Sequence, residues 1–171
     1  MKTEKTLQRI AMDLLKESGI STPPVDVLRV AREQGAVVQP DLVDDEISGG
    51  LRRTSDGPII GVNAGHHPHR QRFTIAHEIG HLILHQKEPV FVDRDFHRDS
   101  VSSQAIDPLE IEANKFAAAL LMPAQFLMQD LTDADGPLRS EKVEELARRY
   151  RVSQQAMTFR LDNLGVPLEL S

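Results

Sequence analysis

His77, Glu78 and His81 stand in the order H-E-x-x-H within the run Phe73-Thr74-Ile75-Ala76-His77-Glu78-Ile79-Gly80-His81-Leu82-Ile83-Leu84-His85. Each residue of an α-helix advances about 100°, so positions four apart stack on one face. Two imidazole nitrogens can then meet one ion, and Glu78, one position on, sits beside that ion rather than on it. A carboxylate there can take a proton from a water held by a divalent metal. Zinc lowers the pKa of such a water to about 7, so the chemistry open to these residues is metal-assisted hydrolysis.

The neighbours favour such a helix. Ile75, Ala76, Ile79, Leu82 and Ile83 form an apolar stripe that can bury it. The alternative is an amphipathic helix with two surface histidines and a glutamate. That alternative explains the residues poorly, because imidazoles and a carboxylate among Ile and Leu need partners once buried. A metal supplies them.

A zinc hydrolase takes three protein ligands and keeps one position for water. The third ligand must come from another element, and the stretch from Asp107 to Met122, stopped by Pro123, is the best source. It reads as a buried helix whose alanines admit a close neighbour, yet it carries two acids. Glu110 shares a face with Ala113, Ala117 and Leu121, and Glu112 with Phe116 and Ala119. Periodicity favours Glu110 only slightly, and both stay open on this ground. By His85 the helical face has turned about 80° from His77, so one ion does not easily collect all three histidines. His85 reads instead as a residue near the helix C-terminus that bonds its neighbours or answers the helix dipole. His66, His67 and His69 read as solvent-facing turn residues, with oxyanion stabilisation as the competing role, and His97 and Arg98 are similar candidates. The sole tyrosine, Tyr150, lies far along the chain and leaves the oxyanion role unassigned.

The elements that must position these residues follow from spacing. Leu7, Ile10, Ala11, Leu14 and Leu15 predict a helix over residues 4 to 18, and Val25 to Gln34 predicts a second. Ala36 to Gln39 is a short strand. Ile47–Arg53 and Pro58–Asn63 are two more, joined by the turn sequence Thr54-Ser55-Asp56-Gly57. Residues 86 to 107 read as a long loop. After a linker at Asp133–Pro137, residues 141 to 150 and 154 to 164 have the outline of a helix-turn-helix, with Ser153 as the N-cap of its second helix. The expected division is a domain over 1–132 and a C-terminal segment over 138–171.

At 171 residues, with 40% hydrophobic and 27% charged residues, the chain can bury an ordinary core. A net charge of −6 argues against a general binder of nucleic acid or anionic membrane. Cysteine is absent, so disulfides and thiolate zinc sites are excluded. The N-terminus lacks the apolar middle of a signal peptide, and no segment approaches the roughly 20 apolar residues of a membrane span. The expected location is cytoplasmic. Oligomeric state is not legible.

The segments R-x-R-F-T-I-A-H-E-I-G-H-L-I-L-H (Arg70 to His85) and E-I-E-A-N-K-F-A-A-A-L-L-M-P (Glu110 to Pro123) resemble the ImmA/IrrE family of bacterial metallopeptidases. The likeness runs over most of the chain, in the same order of elements. It implies an α+β fold: a mainly helical, zincin-like metallopeptidase domain with a small antiparallel sheet, then a helix-turn-helix-like C-terminal segment. It also implies that Glu110, which opens E-x-x-A-N, is the third ligand beside His77 and His81, with Glu78 as catalytic base. Zinc is the expected ion and manganese the alternative. Asn114, one turn beyond Glu110, is expected to support the site. Arg70 and Arg72 match the family's R-x-R-F and read as structural first, substrate-contacting second.

The implied partner is a protein substrate, a helix-turn-helix transcriptional repressor whose cleavage switches on stress-response or mobile-element genes. Direct DNA binding is disfavoured, because the second C-terminal helix holds one basic residue and nearby arginines are offset by Glu141, Glu144 and Glu145. The competing function is a non-catalytic, metal-containing regulator that binds a repressor or toxin. Glu78 weighs against it, since a scaffold has no use for a base beside the ion.

Overall fold

In the computed structural model, which describes residues 1–87, 90–94 and 107–170, the first helix opens at Thr3. The Thr3 side chain accepts from the Thr6 N–H, and α1 (Glu4–Glu17) follows, burying Leu7, Ala11, Leu14 and Leu15. Asp26 caps α2 (Val27–Glu33) in the same way by accepting from the Arg29 N–H. Gly35, at φ 75°, then takes the left-handed conformation that ends the helix. Both helices lie where the apolar spacing predicts them.

Four strands form one sheet in the order β1-β3-β2-β4: β1 (Val37–Asp41), β2 (Ile47–Thr54), β3 (Gly57–Asn63) and β4 (Val90–Arg94). β2 and β3 make the expected hairpin, antiparallel with Thr54 opposite Gly57. The sheet is nevertheless mixed, not antiparallel. β3 inserts between β1 and β2, so β1 runs parallel to it with Val37 opposite Ile59. The link between β1 and β2 is gathered by Asn63, whose Nδ2 donates to the carbonyls of Asp44 and Ile47 at 3.2 and 2.8 Å. β4 pairs antiparallel with the other edge of β2 and lies inside the stretch expected to be loop. Five residues set among charges are too few to show a period.

α3 (Pro68–Leu84) crosses one face of this sheet and carries the H-E-x-x-H residues. Gly49 makes the approach possible, since a Cβ there would lie 2.5 Å from both the Gly61 carbonyl oxygen and Thr74 Cγ2. α4 (Pro108–Leu121) packs on α3 and on α1; Asp107 caps it by accepting from the Leu109 N–H at 2.8 Å. Proline at the first turn of α3 and of α4 sets each start without losing a needed donor.

Pro123 ends α4 as expected, but a further short helix, α5 (Ala124–Asp130), follows at once. Then come β5 (Leu138–Arg139), α6 (Ser140–Tyr150), α7 (Gln154–Asn163) and β6 (Leu168–Glu169), with β5 and β6 paired in parallel. α6 closes at Arg151 in the left-handed region, φ 52°, and Ser153 caps α7 by accepting from the Ala156 N–H at 3.1 Å. Val143, Leu146, Tyr150, Met157 and Leu161 of these helices join the same buried cluster as Leu7, Leu15, Ile79 and Phe116. No helix among the described residues is long and apolar enough to cross a membrane.

Candidate metal centre

The position of α3 is set from both ends. At its N-terminus His67 is the cap, with Nδ1 accepting from the His69 N–H. At its C-terminus the Arg53 guanidinium, reaching from β2, donates to the carbonyls of His81, Leu82 and His85 at 3.3, 3.2 and 3.3 Å. A cation at that end also answers the helix dipole. Between the two ends, Gly80 lets α4 come close. A Cβ on Gly80 would meet Phe116 Cδ1 at 3.1 Å and the Ala113 backbone at 3.3 Å.

This close approach brings Glu110 of α4 to the two histidines one turn apart on α3. His77 Nε2 and His81 Nε2 are 2.9 Å apart. Glu110 Oε2 lies 3.1 Å from His77 Nε2, and its Oε1 lies 3.1 Å from His81 Nε2. A tetrahedral ion with ligand bonds of roughly 2.0–2.1 Å holds its donor atoms about 3.3 Å apart. The observed spacings are within a few tenths of that edge, so the donor set fits a divalent cation. His77 is also turned correctly: its Nδ1 donates to Asn114 Oδ1 at 2.9 Å, which leaves the Nε2 lone pair facing the cluster. Among the described residues, His77, His81 and Glu110 are the group able to hold a metal.

The electrostatics agree. Burial pushes the His81 imidazole below its ordinary value and keeps it neutral, with the Glu110 contact working against that. Burial would raise the Glu110 carboxyl, but its close contacts with the His77 and His81 imidazoles outweigh that and hold the group well below the usual carboxylate range. A neutral imidazole and an ionised carboxylate are the forms that ligate. The Glu110 side chain keeps 36% exposure while those of His77 and His81 keep 2% and 1%. The cluster is therefore walled on the histidine side and open on the glutamate side.

Glu78 is fully buried on α3, one residue past His77. Glu112 does not join the cluster. Its Oε2 is 2.9 Å from His85 Nε2, and His85 Nδ1 is 2.9 Å from His81 Nδ1. Of the turn histidines expected to face solvent, His66 departs from that expectation. His66 is buried, with Nε2 donating to the Asp45 carbonyl at 3.0 Å, while His67 is exposed and capping. Arg70 donates to Ser48 Oγ at 3.2 Å, and Arg72 donates to the carbonyls of Arg151 and Tyr150 at 3.2 and 3.5 Å. The Tyr150 hydroxyl bonds Asp130, and burial, joined by that carboxylate, pushes its pKa far up. His97 and Arg98 lie outside the described residues. Arg53 and Gly80 support the site without belonging to a motif. Gly80 had a visible signal, a glycine inside a helix, which costs about 1 kcal/mol unless packing needs it.

The IrrE N-terminal-like domain, a peptidase family, matches residues 31–162. The radiation response metalloprotease IrrE of Deinococcus deserti is 37% identical over 109 residues, 64% of this chain and 37% of the relative. Its namesake from Deinococcus radiodurans is 36% identical over 104 residues, 60% of this chain and 30% of the relative. The chain thus spans about a third of the length of these curated relatives. A transcriptional regulator from Mycobacterium tuberculosis shares the fold at TM-score 0.64 and 22% identity, over 92% of this chain and 46% of the regulator.

Proposed function

The chain belongs to the IrrE N-terminal-like family, and from that premise we propose that it is a zinc-dependent endopeptidase. The observation that carries the proposal is the convergence of His77 Nε2, His81 Nε2 and a Glu110 carboxylate at 2.9–3.1 Å, with the buried Glu78 next in sequence to His77. His77, His81 and Glu110 would hold the ion. Two imidazoles and one carboxylate suit zinc, with manganese as the alternative. When bound, the ion supplies a Lewis acid that polarises a peptide carbonyl and acidifies water.

Glu78 takes the proton of the attacking water and passes it to the departing amine. Asn114 keeps His77 in the tautomer that presents Nε2. The open side at Glu110 admits a peptide, while burial of His77, Glu78 and His81 keeps bulk water from competing for them.

The proposed substrate is a protein, a helix-turn-helix repressor, whose cleavage derepresses stress-response or mobile-element genes. Support comes from the family resemblance. The C-terminal segment, residues 138–171, is proposed as a packing or protein-docking element. The one basic residue of α7, Arg160, is 3% exposed and bonded inward to the Met122 carbonyl and Glu4, so it is not offered to phosphates.

The test is to incubate the zinc-loaded protein with repressors encoded beside its gene, with Glu78→Gln as control. Cleavage is expected to fall by about 10²–10⁴-fold in the variant at equal metal content. Undiminished cleavage by Glu78→Gln would overturn the role of Glu78. Stable capture of a repressor without cleavage by either form would favour the non-catalytic regulator.

A further inference from the structure

We propose that His85 and Glu112 are positioning residues for the metal ligand His81, forming a directed chain Glu112–His85–His81 that presents the His81 Nε2 lone pair to the ion. The inference rests on the metal reading above and deepens it.

The direction of the chain follows from donor and acceptor chemistry. An ionised carboxylate only accepts, so across the 2.9 Å contact between Glu112 Oε2 and His85 Nε2 the imidazole must donate. A neutral imidazole carries one N–H, so the other nitrogen of His85, Nδ1, is an acceptor. That acceptor lies 2.9 Å from His81 Nδ1, which must therefore carry the proton. His81 Nε2 is left with its lone pair, and it points at His77 Nε2 and Glu110 Oε1, at 2.9 and 3.1 Å. Had the chain run the other way, His81 would present an N–H to the ion.

The chain is protected from rearrangement. His85 and Glu112 are both buried, at 6% and 3% exposure, so water does not compete for their bonds. The Glu112 carboxylate is also held by Lys2, whose backbone N–H donates to Oε1 and whose Nζ lies 3.7 Å from Oε2. His85 in turn is held by its place at the end of α3, where its carbonyl accepts from Arg53. Glu110 and Glu112, two residues apart on α4, thus do different work: one faces the ion directly and the other acts on it through two imidazoles. The histidine that extends the 77, 81 series by four is a support of the site, not a fourth ligand.

The experiment measures zinc affinity by competition with a chromophoric chelator, alongside thermal melts of the metal-free forms. Variants are His85→Phe, His85→Asn and Glu112→Leu. Phenylalanine offers His81 no acceptor, whereas the asparagine amide oxygen falls close to the place of Nδ1 and restores one. Expected results are affinities about 10–100-fold weaker for His85→Phe and Glu112→Leu, and recovery of most of that loss in His85→Asn. A purely structural role would lower the metal-free melting temperatures of all three variants and leave affinity unmoved. The inference is overturned if His85→Phe and Glu112→Leu hold zinc as tightly as the native protein, or if His85→Asn is no better than His85→Phe. If His85→Phe does not fold, Glu112→Leu decides alone. A His77→Ala, His81→Ala double variant that binds zinc as tightly as the native protein would instead overturn the metal reading itself, and this inference with it.

Discussion

Two groups of the centre, His81 and Glu110, are displaced toward lower pKa for different reasons. Burial lowers His81; on Glu110 burial works upward, and the close contacts with the two imidazoles overcome it. In each case the folded value lies below the unfolded one, so in acid the unfolded chain binds more protons than the native state. The stability these groups contribute is complete above their ordinary values of 6.5 and 4.5 and is lost as pH falls through the lowered ones. Metal-free protein is therefore expected to lose melting temperature as pH drops from about 7, first through His81 and later through Glu110. Zinc-loaded protein should show a steeper fall over the histidine range, because a protonated imidazole cannot ligate. Melts in a pH series, with and without chelator, check this. A melting temperature that stays flat from about pH 7 to pH 4 would mean that neither group is tuned by its surroundings.

The elements α3 and α4 meet at Gly80, and the centre depends on how closely they meet. Alanine at Gly80 would gain up to about 1 kcal/mol of helix propensity. Its Cβ would also press on the Ala113 backbone at 3.3 Å, which cannot rotate aside as a side chain could. Overpacking of this kind costs about 1–3 kcal/mol, so the steric term outweighs propensity. Gly80→Ala is expected to lower the urea midpoint at unchanged slope, by a net loss of about 1 kcal/mol, and to weaken zinc binding by moving Glu110 outward. Equal stability together with equal zinc affinity would show slack at this contact. The same geometry explains what the sequence could reveal. His77 and His81 lie on one helix, where spacing converts directly into direction. Glu110 and Glu112 are about 200° apart around α4, and which of them faces α3 is a matter of tertiary register that periodicity does not contain. The hairpin of β2 and β3 is written in its turn residues. The parallel partner β1, the strand β4 and the short α5 depend on distant contacts or are too brief to repeat.

At the scale of the whole molecule, the question is whether residues 138–170 unfold with the rest. Among the described residues, three polar connections cross between them and the body. Arg72 of α3 donates to the carbonyls of Arg151 and Tyr150. Asp130, at the end of α5, accepts from the Tyr150 hydroxyl at 2.8 Å and Arg149 Nε at 2.9 Å. Arg160 of α7 donates to the Met122 carbonyl at 3.0 Å and to Glu4 at 3.1 Å, reaching α4 and α1 together. Beneath these bonds the hydrophobic cluster is continuous. One cooperative transition is the expected result, and the composition supplies a clean probe of it. The chain has one tyrosine and no tryptophan, so Tyr150 emission reports on this junction while far-UV circular dichroism reports on all the helices. In urea the two signals should change together. Arg160→Ala removes charge-assisted bonds worth on the order of 1.5–3 kcal/mol each, less on the side of the half-exposed Glu4. The variant should move the tyrosine transition to lower urea, and separate it from the dichroism if the Arg160 bonds are what couple the segment. Separate transitions in the native protein would instead make the C-terminal segment a unit with its own stability, free to serve as an independent docking module.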